Sequence, residues 1–233
     1  MATGDQRDIS RTKKIVVEKD GPYVVYGDIP LVRKEQVVSE HGEPLTWKKG
    51  EVLETDAPYR LCRCGQSTRQ PFCDESHAIL GFDATETAPA GPTAERQVTL
   101  EGGTRIVVKR DYSLCAESGF CGDRLANIEK LVGDTDDTRL RSLVIAMIER
   151  CPSGSFTYAI QAGEPDIEPD LPQQIAVTTE ITSDGPIAGP LWVTGNIPIE
   201  RSDGQPFETR NRVTLCGCGR SNIKPLCDGS HRR

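Results

Sequence analysis

Aromatic residues make up only 5% of this 233-residue chain, and all hydrophobic types together only 36%. A core built from so few large apolar side chains is thin for the length, so a second source of cohesion is expected. Long apolar runs are missing too. The longest, Leu143–Ile148, is far short of the roughly 18–20 residues that span a bilayer. The N-terminal stretch MATGDQRDISRTKK has no apolar centre and no small-residue cleavage site, which argues against a secretory signal and for a cytoplasmic protein without a membrane role. Excess positive charge is absent: 28 Lys and Arg stand against 35 Asp and Glu, a net charge of −7. Such a chain has a poor electrostatic footing for nucleic acid. No nucleophile–base pair, glycine-rich phosphate loop or flavin motif is found, so an enzyme is not expected.

Cysteine is what the chain does have. Nine is an odd number, unsuited to a closed disulfide framework, and in a reducing compartment clustered thiols are more often metal ligands. They fall into three trios: Cys62, Cys64 and Cys73; Cys115, Cys121 and Cys151; Cys216, Cys218 and Cys227. Two of the three histidines, His77 and His231, follow the first and third trios.

The outer trios belong to an internal repeat. GPYVVYGDIPL (21–31) matches GPLWVTGNIPI (189–199), HGEPLTW (41–47) matches DGQPFET (203–209), and YRLCRCGQSTRQPFCDESH (59–77) matches VTLCGCGRSNIKPLCDGSH (213–231). Each copy reads as short strands, a turn, a strand and a cysteine loop. Tyr23–Tyr26 and Leu191–Thr194 are of strand composition, Lys14–Val17 and Gln174–Val177 are expected to form another strand pair, and Gly21-Pro22 and Gly189-Pro190 mark turns.

Both outer motifs share one spacing: C-x-C, eight residues, C, three residues, H. Three thiolates and an imidazole are a complete four-ligand set, and soft thiolates select zinc or iron–sulfur centres. C-x-C is tight for one tetrahedral zinc, where C-x2–4-C is usual. It suits one iron of a two-iron group, with the later Cys and His on the other. An imidazole in place of a thiolate raises the reduction potential and adds a protonatable ligand. The second motif resembles the signature of the CDGSH (NEET) iron–sulfur family, with Ser221, Pro225, Asp228 and Gly229 all in place. The first has Ser67, Pro71 and Asp74 but departs at Glu75, where the family has Gly. If that position needs a positive φ, the departure costs about 1 kcal/mol. The resemblance implies a 2Fe–2S cluster on Cys62, Cys64, Cys73 and His77, and another on Cys216, Cys218, Cys227 and His231. It also implies that two motifs associate, here within one chain. Asp74, Asp228, Ser67 and Ser221 are candidates for orienting the ligands.

The middle segment reads Cys115-Ala-Glu-Ser-Gly-Phe-Cys121, with Cys151-Pro152 29 residues on. It resembles a divergent single-cluster bacterial ferredoxin domain of the kind found beside CDGSH motifs. Ser118 stands where a 4Fe–4S ferredoxin places its central cysteine, so a 3Fe–4S cluster is expected, with 4Fe–4S as the alternative. Glu117 occupies a place usually held by His. A helix is predicted over Thr138–Arg150, capped by Asp136 or Asp137, with Leu140, Leu143, Val144 and Met147 facing the core. A shorter helix is expected near Asp123–Val132, and a hairpin from Val98–Leu100 and Arg105–Lys109.

The expected fold is α+β and β-rich. Two pseudo-symmetric CDGSH modules (1–82 and 174–233) pair within the chain, and linkers (83–97 and 161–173) bracket a small ferredoxin-like α+β domain (98–160). The expected function is electron transfer by a monomer that meets a redox protein or an apo iron–sulfur acceptor. Cluster storage, cluster transfer or redox sensing is the alternative, and a structural zinc protein a third.

Overall fold

The computed structural model describes residues 12–103 and 105–233. The polar N-terminal stretch through residue 11, counted above with the first module, lies outside them, as does Thr104 in the predicted hairpin. In chain order, the first repeat forms β1 (Lys14–Val17), β2 (Tyr23–Tyr26), β3 (Leu31–Val38), β4 (Pro44–Leu53), β5 (Tyr59–Leu61) and the short α1 (Ser76–Leu80). The middle unit forms β6 (Val98–Thr99), β7 (Val107–Arg110), α2 (Ile128–Leu131), α3 (Thr138–Arg150) and β8 (Phe156–Ala159). The second repeat forms β9 (Gln174–Thr182), β10 (Gly185–Thr194), β11 (Ile199–Glu200) and β12 (Arg212–Leu215).

The two repeats exchange strands. One sheet runs β11-β1-β2-β5 and another β12-β10-β9-β3-β4. Each repeat therefore completes its sheet with a strand of the other, paired in parallel: Ile15 lies opposite Ile199, and Ile175 opposite Leu31. The reason is visible in the alternation. Ile15, Val17, Tyr23, Val25 and Leu31 point inward together with Ile175, Leu191, Val193, Ile197 and Leu215, so one core serves both repeats. Neither repeat alone has enough apolar side chains to make it. The middle unit has its own core of Ile106, Val108, Ile128, Val144, Ile148, Phe156 and Tyr158 beneath a three-stranded sheet, β6-β7-β8. The fold is β-dominated α+β. No helix among the described residues is long and apolar enough to cross a membrane.

Several local expectations are corrected. Gly189-Pro190 is not a turn: β9 and β10 continue past the length of β1 and β2, and the pair falls at a register shift between Ala188 and Leu191. Lys14–Val17 and the Gln174 strand both form, but they do not pair with each other. Asp137 caps α3, accepting from the Arg139 N–H at 2.7 Å, yet Leu143 is 40% exposed. The buried face runs through Val144, Met147 and Ile148 instead. The shorter helix starts only at Ile128, because Asp123 accepts from the N–H groups of Leu125 and Ala126 and ties those residues into a turn.

The two connectors are not free tethers. The N–H groups of Thr87 and Ala88 donate to the Lys224 carbonyl at 2.9 and 3.0 Å, and Asn211 Nδ2 donates to the Pro169 carbonyl at 2.8 Å. Thr93 donates both its N–H (3.0 Å) and its hydroxyl (2.6 Å) to Glu208, which also takes Arg210 at 3.0 Å. Burial pushes the Glu208 carboxyl up, but these donors outweigh it and hold it below the usual carboxylate range. A depressed folded value stabilises above the unfolded Glu pKa of about 4.3 and is lost as pH falls through the folded value. The urea midpoint is therefore expected to drop more between neutral pH and pH ~3.5 in the native chain than in Glu208→Gln. Equal drops would remove Glu208 from the acid response.

Candidate metal centres

Each outer cysteine loop hangs from the end of a strand. β5 delivers Cys62 and β12 delivers Cys216, and the chain returns antiparallel through the bridges Leu61–Phe72 and Leu215–Leu226. The Cys62 N–H donates to the Pro71 carbonyl and the Cys216 N–H to that of Pro225, at 2.7 and 2.8 Å. Inside the loops, Ser67 Oγ donates to the Phe72 carbonyl at 2.6 Å and Ser221 Oγ to that of Leu226 at 2.7 Å. Asp74 accepts from the N–H groups of Thr68 and Ser76, and Asp228 from those of Asn222 and Ser230. The Ser76 and Thr68 donors hold the Asp74 carboxyl well below the usual range. These four residues thus shape the loops through hydrogen bonds within them, and none of those bonds goes to a thiol.

The donor atoms come in pairs. Cys62 Sγ lies 3.7 Å from Cys64 Sγ, and Cys73 Sγ lies 3.5 Å from His77 Nδ1. In the second set the separations are 3.7 Å for Cys216 and Cys218 and 3.4 Å for Cys227 and His231 Nδ1. Tetrahedral coordination with bonds of about 2.3 Å to sulfur and 2.0–2.1 Å to nitrogen has edges of roughly 3.7 and 3.5 Å. Every pair is one such edge. A single zinc would need all four donors mutually at that range. Among the described residues, the one group of three Cys, His, Asp or Glu donors lying within 4.8 Å of one another is Cys73, Glu75 and His77. No three donors of either motif do so. The donor chemistry and the paired spacing therefore fit a two-iron group, one metal per pair.

The thiols themselves are unequal. The Cys216 hydrogen bond, opposed by burial and helped by the Arg220 N–H, brings Cys218 down to about 5, while burial pushes Cys227 up to about 12. The histidines differ as well. At the first site Glu75 adopts φ 67°, the left-handed conformation that Gly229 (φ 84°) supplies freely at the second. Glu75 pairs with Arg60, and its other oxygen lies 3.5 Å from His77 Nε2. At the second site the His231 Nε2 partner is Glu180 of β9, at 2.8 Å. Glu180 is fully buried, and Arg232 Nε donates to the same oxygen at 2.7 Å. Sequence reasoning missed Glu180, since no motif announces it. It also missed Tyr23, whose hydroxyl reaches the carbonyls of Cys216 and Pro225 at 2.9 and 3.0 Å from the other repeat.

The middle trio converges too. Cys115 and Cys121 flank the loop after β7, and Cys151 ends α3, its N–H donating to the Ile148 carbonyl. Burial raises the Cys121 thiol, and the nearby Cys151 and Cys115 raise it further against the pull of Arg110. Arg110 Nη2 faces Cys115 Sγ at 3.9 Å and stacks on Tyr112 and Phe156. Ser118 is buried, and its carbonyl accepts from Gln36 of β3 at 3.0 Å.

The three centres adjoin in series. The two C-x-C loops press on each other: a Cβ at Gly65 would lie 2.6 Å from the Cys218 carbonyl oxygen, and one at Gly219 2.4 Å from that of Cys64. Between them opens a cavity of about 450 Å³ with Cys62, Cys218 and His231 in its wall. On its other side the second centre meets the middle unit. Glu117 lies over Gly229, where an added Cβ would come within 2.7 Å of it, and Arg233 pairs with Glu117 at 3.1 Å. Arg212, wholly buried on β12, donates to the carbonyls of Glu149 and Phe156 on either side of Cys151, and Arg210 to that of Gly154.

Comparison with known proteins agrees with this geometry. Residues 20–78 and 188–232 each match the family model described as an iron-binding zinc finger of CDGSH type. Comparison with curated proteins and with solved structures gave no match.

Proposed function

We propose that the protein, two segments of which match the CDGSH-type iron-binding family model in tandem, is a non-enzymatic electron carrier. In this reading the outer sites each hold a 2Fe–2S cluster and the middle trio a 3Fe–4S cluster. Bound there, such groups supply one-electron chemistry, with potentials set by ligand identity, hydrogen bonding and burial. The observation that carries the reading is the splitting of each outer donor set into two tetrahedral edges. That splitting disfavours the structural zinc alternative. The residues' work is to hold the donors in register. Ser67, Ser221, Asp74 and Asp228 brace the loops, and Arg110 places a cation beside the middle thiols. The chain's own partner would be a redox protein, met by a monomer whose two repeats already form the pair. Nine unpaired thiols suit a reducing compartment such as the cytoplasm.

Iron, zinc and acid-labile sulfide per chain test the reading on anaerobically purified protein. About seven irons and eight sulfides are expected for two 2Fe–2S and one 3Fe–4S groups. About four of each would empty the middle trio, and two zincs without sulfide would overturn the proposal. The looser setting of His77 favours a second reading, cluster donation. Incubation with an apo-ferredoxin separates the two, because a donor passes its iron on and a carrier keeps it.

A further inference from the structure

We infer that Glu180 is a positioning residue for His231, and that it makes the second centre the slower of the pair to lose its group to a chelator. The inference rests on the reading of both motifs as cluster sites.

A neutral imidazole carries one proton and one lone pair on opposite nitrogens. His231 Nδ1 faces Cys227 Sγ at 3.4 Å, and Nε2 faces Glu180 Oε2 at 2.8 Å. A carboxylate that accepts at Nε2 keeps the proton there and leaves the lone pair on Nδ1, toward the thiol. Glu180 is well placed for this. It is fully buried, so water does not compete for the contact, and Arg232 balances its charge from the same side.

The long β9–β10 hairpin makes the contact possible. Its strands have nine and ten residues, and Glu180 lies beside Gly189, where an added Cβ would come within 3.0 Å of the Glu180 Cγ. The corresponding hairpin of the first repeat, β1–β2, has no such arm. β1 and β2 have four residues each, Glu18 already donates its N–H to the Pro22 carbonyl, and the chain turns at Asp20 and Gly21. His77 has instead the motif's own Glu75, whose carboxylate is 55% exposed, stands 3.5 Å from Nε2 and is also engaged by Arg60. That separation is beyond a good hydrogen bond. The residue that breaks the family pattern at position 75 therefore gives His77 a weaker, solvent-facing version of what Glu180 gives His231.

The test follows visible absorption while a chelator strips the loaded protein. Two phases are expected from the outer sites of the native chain. Glu180→Ala should speed the slow phase by about 10–100-fold, the usual cost of losing a ligand's hydrogen-bond partner. Glu180→Gln, whose amide oxygen still accepts from Nε2, should restore most of it. Glu75→Gln should touch only the fast phase. A second readout needs no cluster: side-chain ¹⁵N spectra of the metal-free chain should show His231 as the Nε2–H tautomer alone, and as a mixture in Glu180→Ala. A mixture in the native chain, or a slow phase indifferent to Glu180→Ala, overturns the inference. If the purified chain takes up no iron, the cluster reading fails, and the tautomer alone decides the role of Glu180.

Discussion

Gly219→Ala is expected to cost the protein iron at the first site, not only at its own. Gly219 has φ 76°, and an added Cβ would stand 2.4 Å from the Cys64 carbonyl oxygen. The left-handed conformation alone costs an alanine about 1 kcal/mol. The contact adds more, because backbone cannot step aside as a flexible side chain does. Cys64 must move, and with it the 3.7 Å edge it makes with Cys62. Iron and sulfide per chain should fall by at least the content of one outer centre, with the circular dichroism of the sheets preserved. Gly42→Ala is the control. It has φ 81° but nothing within 4 Å of the added Cβ, so it pays the conformational cost and keeps its iron. Full iron in Gly219→Ala would mean that the two loops do not bear on each other. Gly65→Ala should show the mirror effect, 2.6 Å from the Cys218 carbonyl.

Arg212→Ala should be the most destabilising of the surface-distant changes. The side chain is 0% exposed. It donates to the Glu149 carbonyl at 2.8 Å and the Phe156 carbonyl at 3.3 Å, and it lies 3.1 Å from Glu168. Removing it leaves a carboxylate and two carbonyls without their cation. Glu168 keeps 28% of its side chain exposed, so the loss lies at the low end of that for a buried pair, about 3 kcal/mol. In a chain of this size that lowers the melting temperature by roughly 10 °C. Calorimetry at a fixed scan rate reads it. Because both carbonyls flank Cys151, the middle centre should lose its iron before the outer ones do. A shift of only a degree or two would show that the middle unit does not depend on this mooring.

The contrast between these residues and the motifs explains what was legible in the sequence. The outer donor sets could be read because each lies within one loop, where ligation demands short, repeating spacings. The repeat itself exposed the two-fold plan, and α3 could be placed from its apolar period and its Asp137 cap. What escaped is long-range. Glu180 meets His231 across 51 residues, and Arg212 meets Glu149 across 63. Neither spacing carries a period or a motif. Leu143 escaped for a different reason: periodicity locates an apolar stripe but not its edges, and the true face is centred one position further round. The connectors read as linkers, 83–97 from its Pro, Ala and Thr without an apolar period and 161–173 from its proline and acid content, yet their backbone groups are bonded to the second repeat, a pairing that composition does not encode.

The strand exchange sets a timetable for synthesis. Lys14 of β1 pairs with Glu200 across 186 residues. At roughly 5–20 residues per second, the N-terminal sheet waits about ten to forty seconds on the ribosome before its partner strand exists. During that interval the edge of β1 is open, and an open edge is a template for pairing with another nascent chain. Contacts of such separation also form slowly once both ends are present. The same crossing that joins two small repeats into one core therefore makes the newborn chain dependent on prompt completion, and a truncated product would carry its unpaired edge permanently.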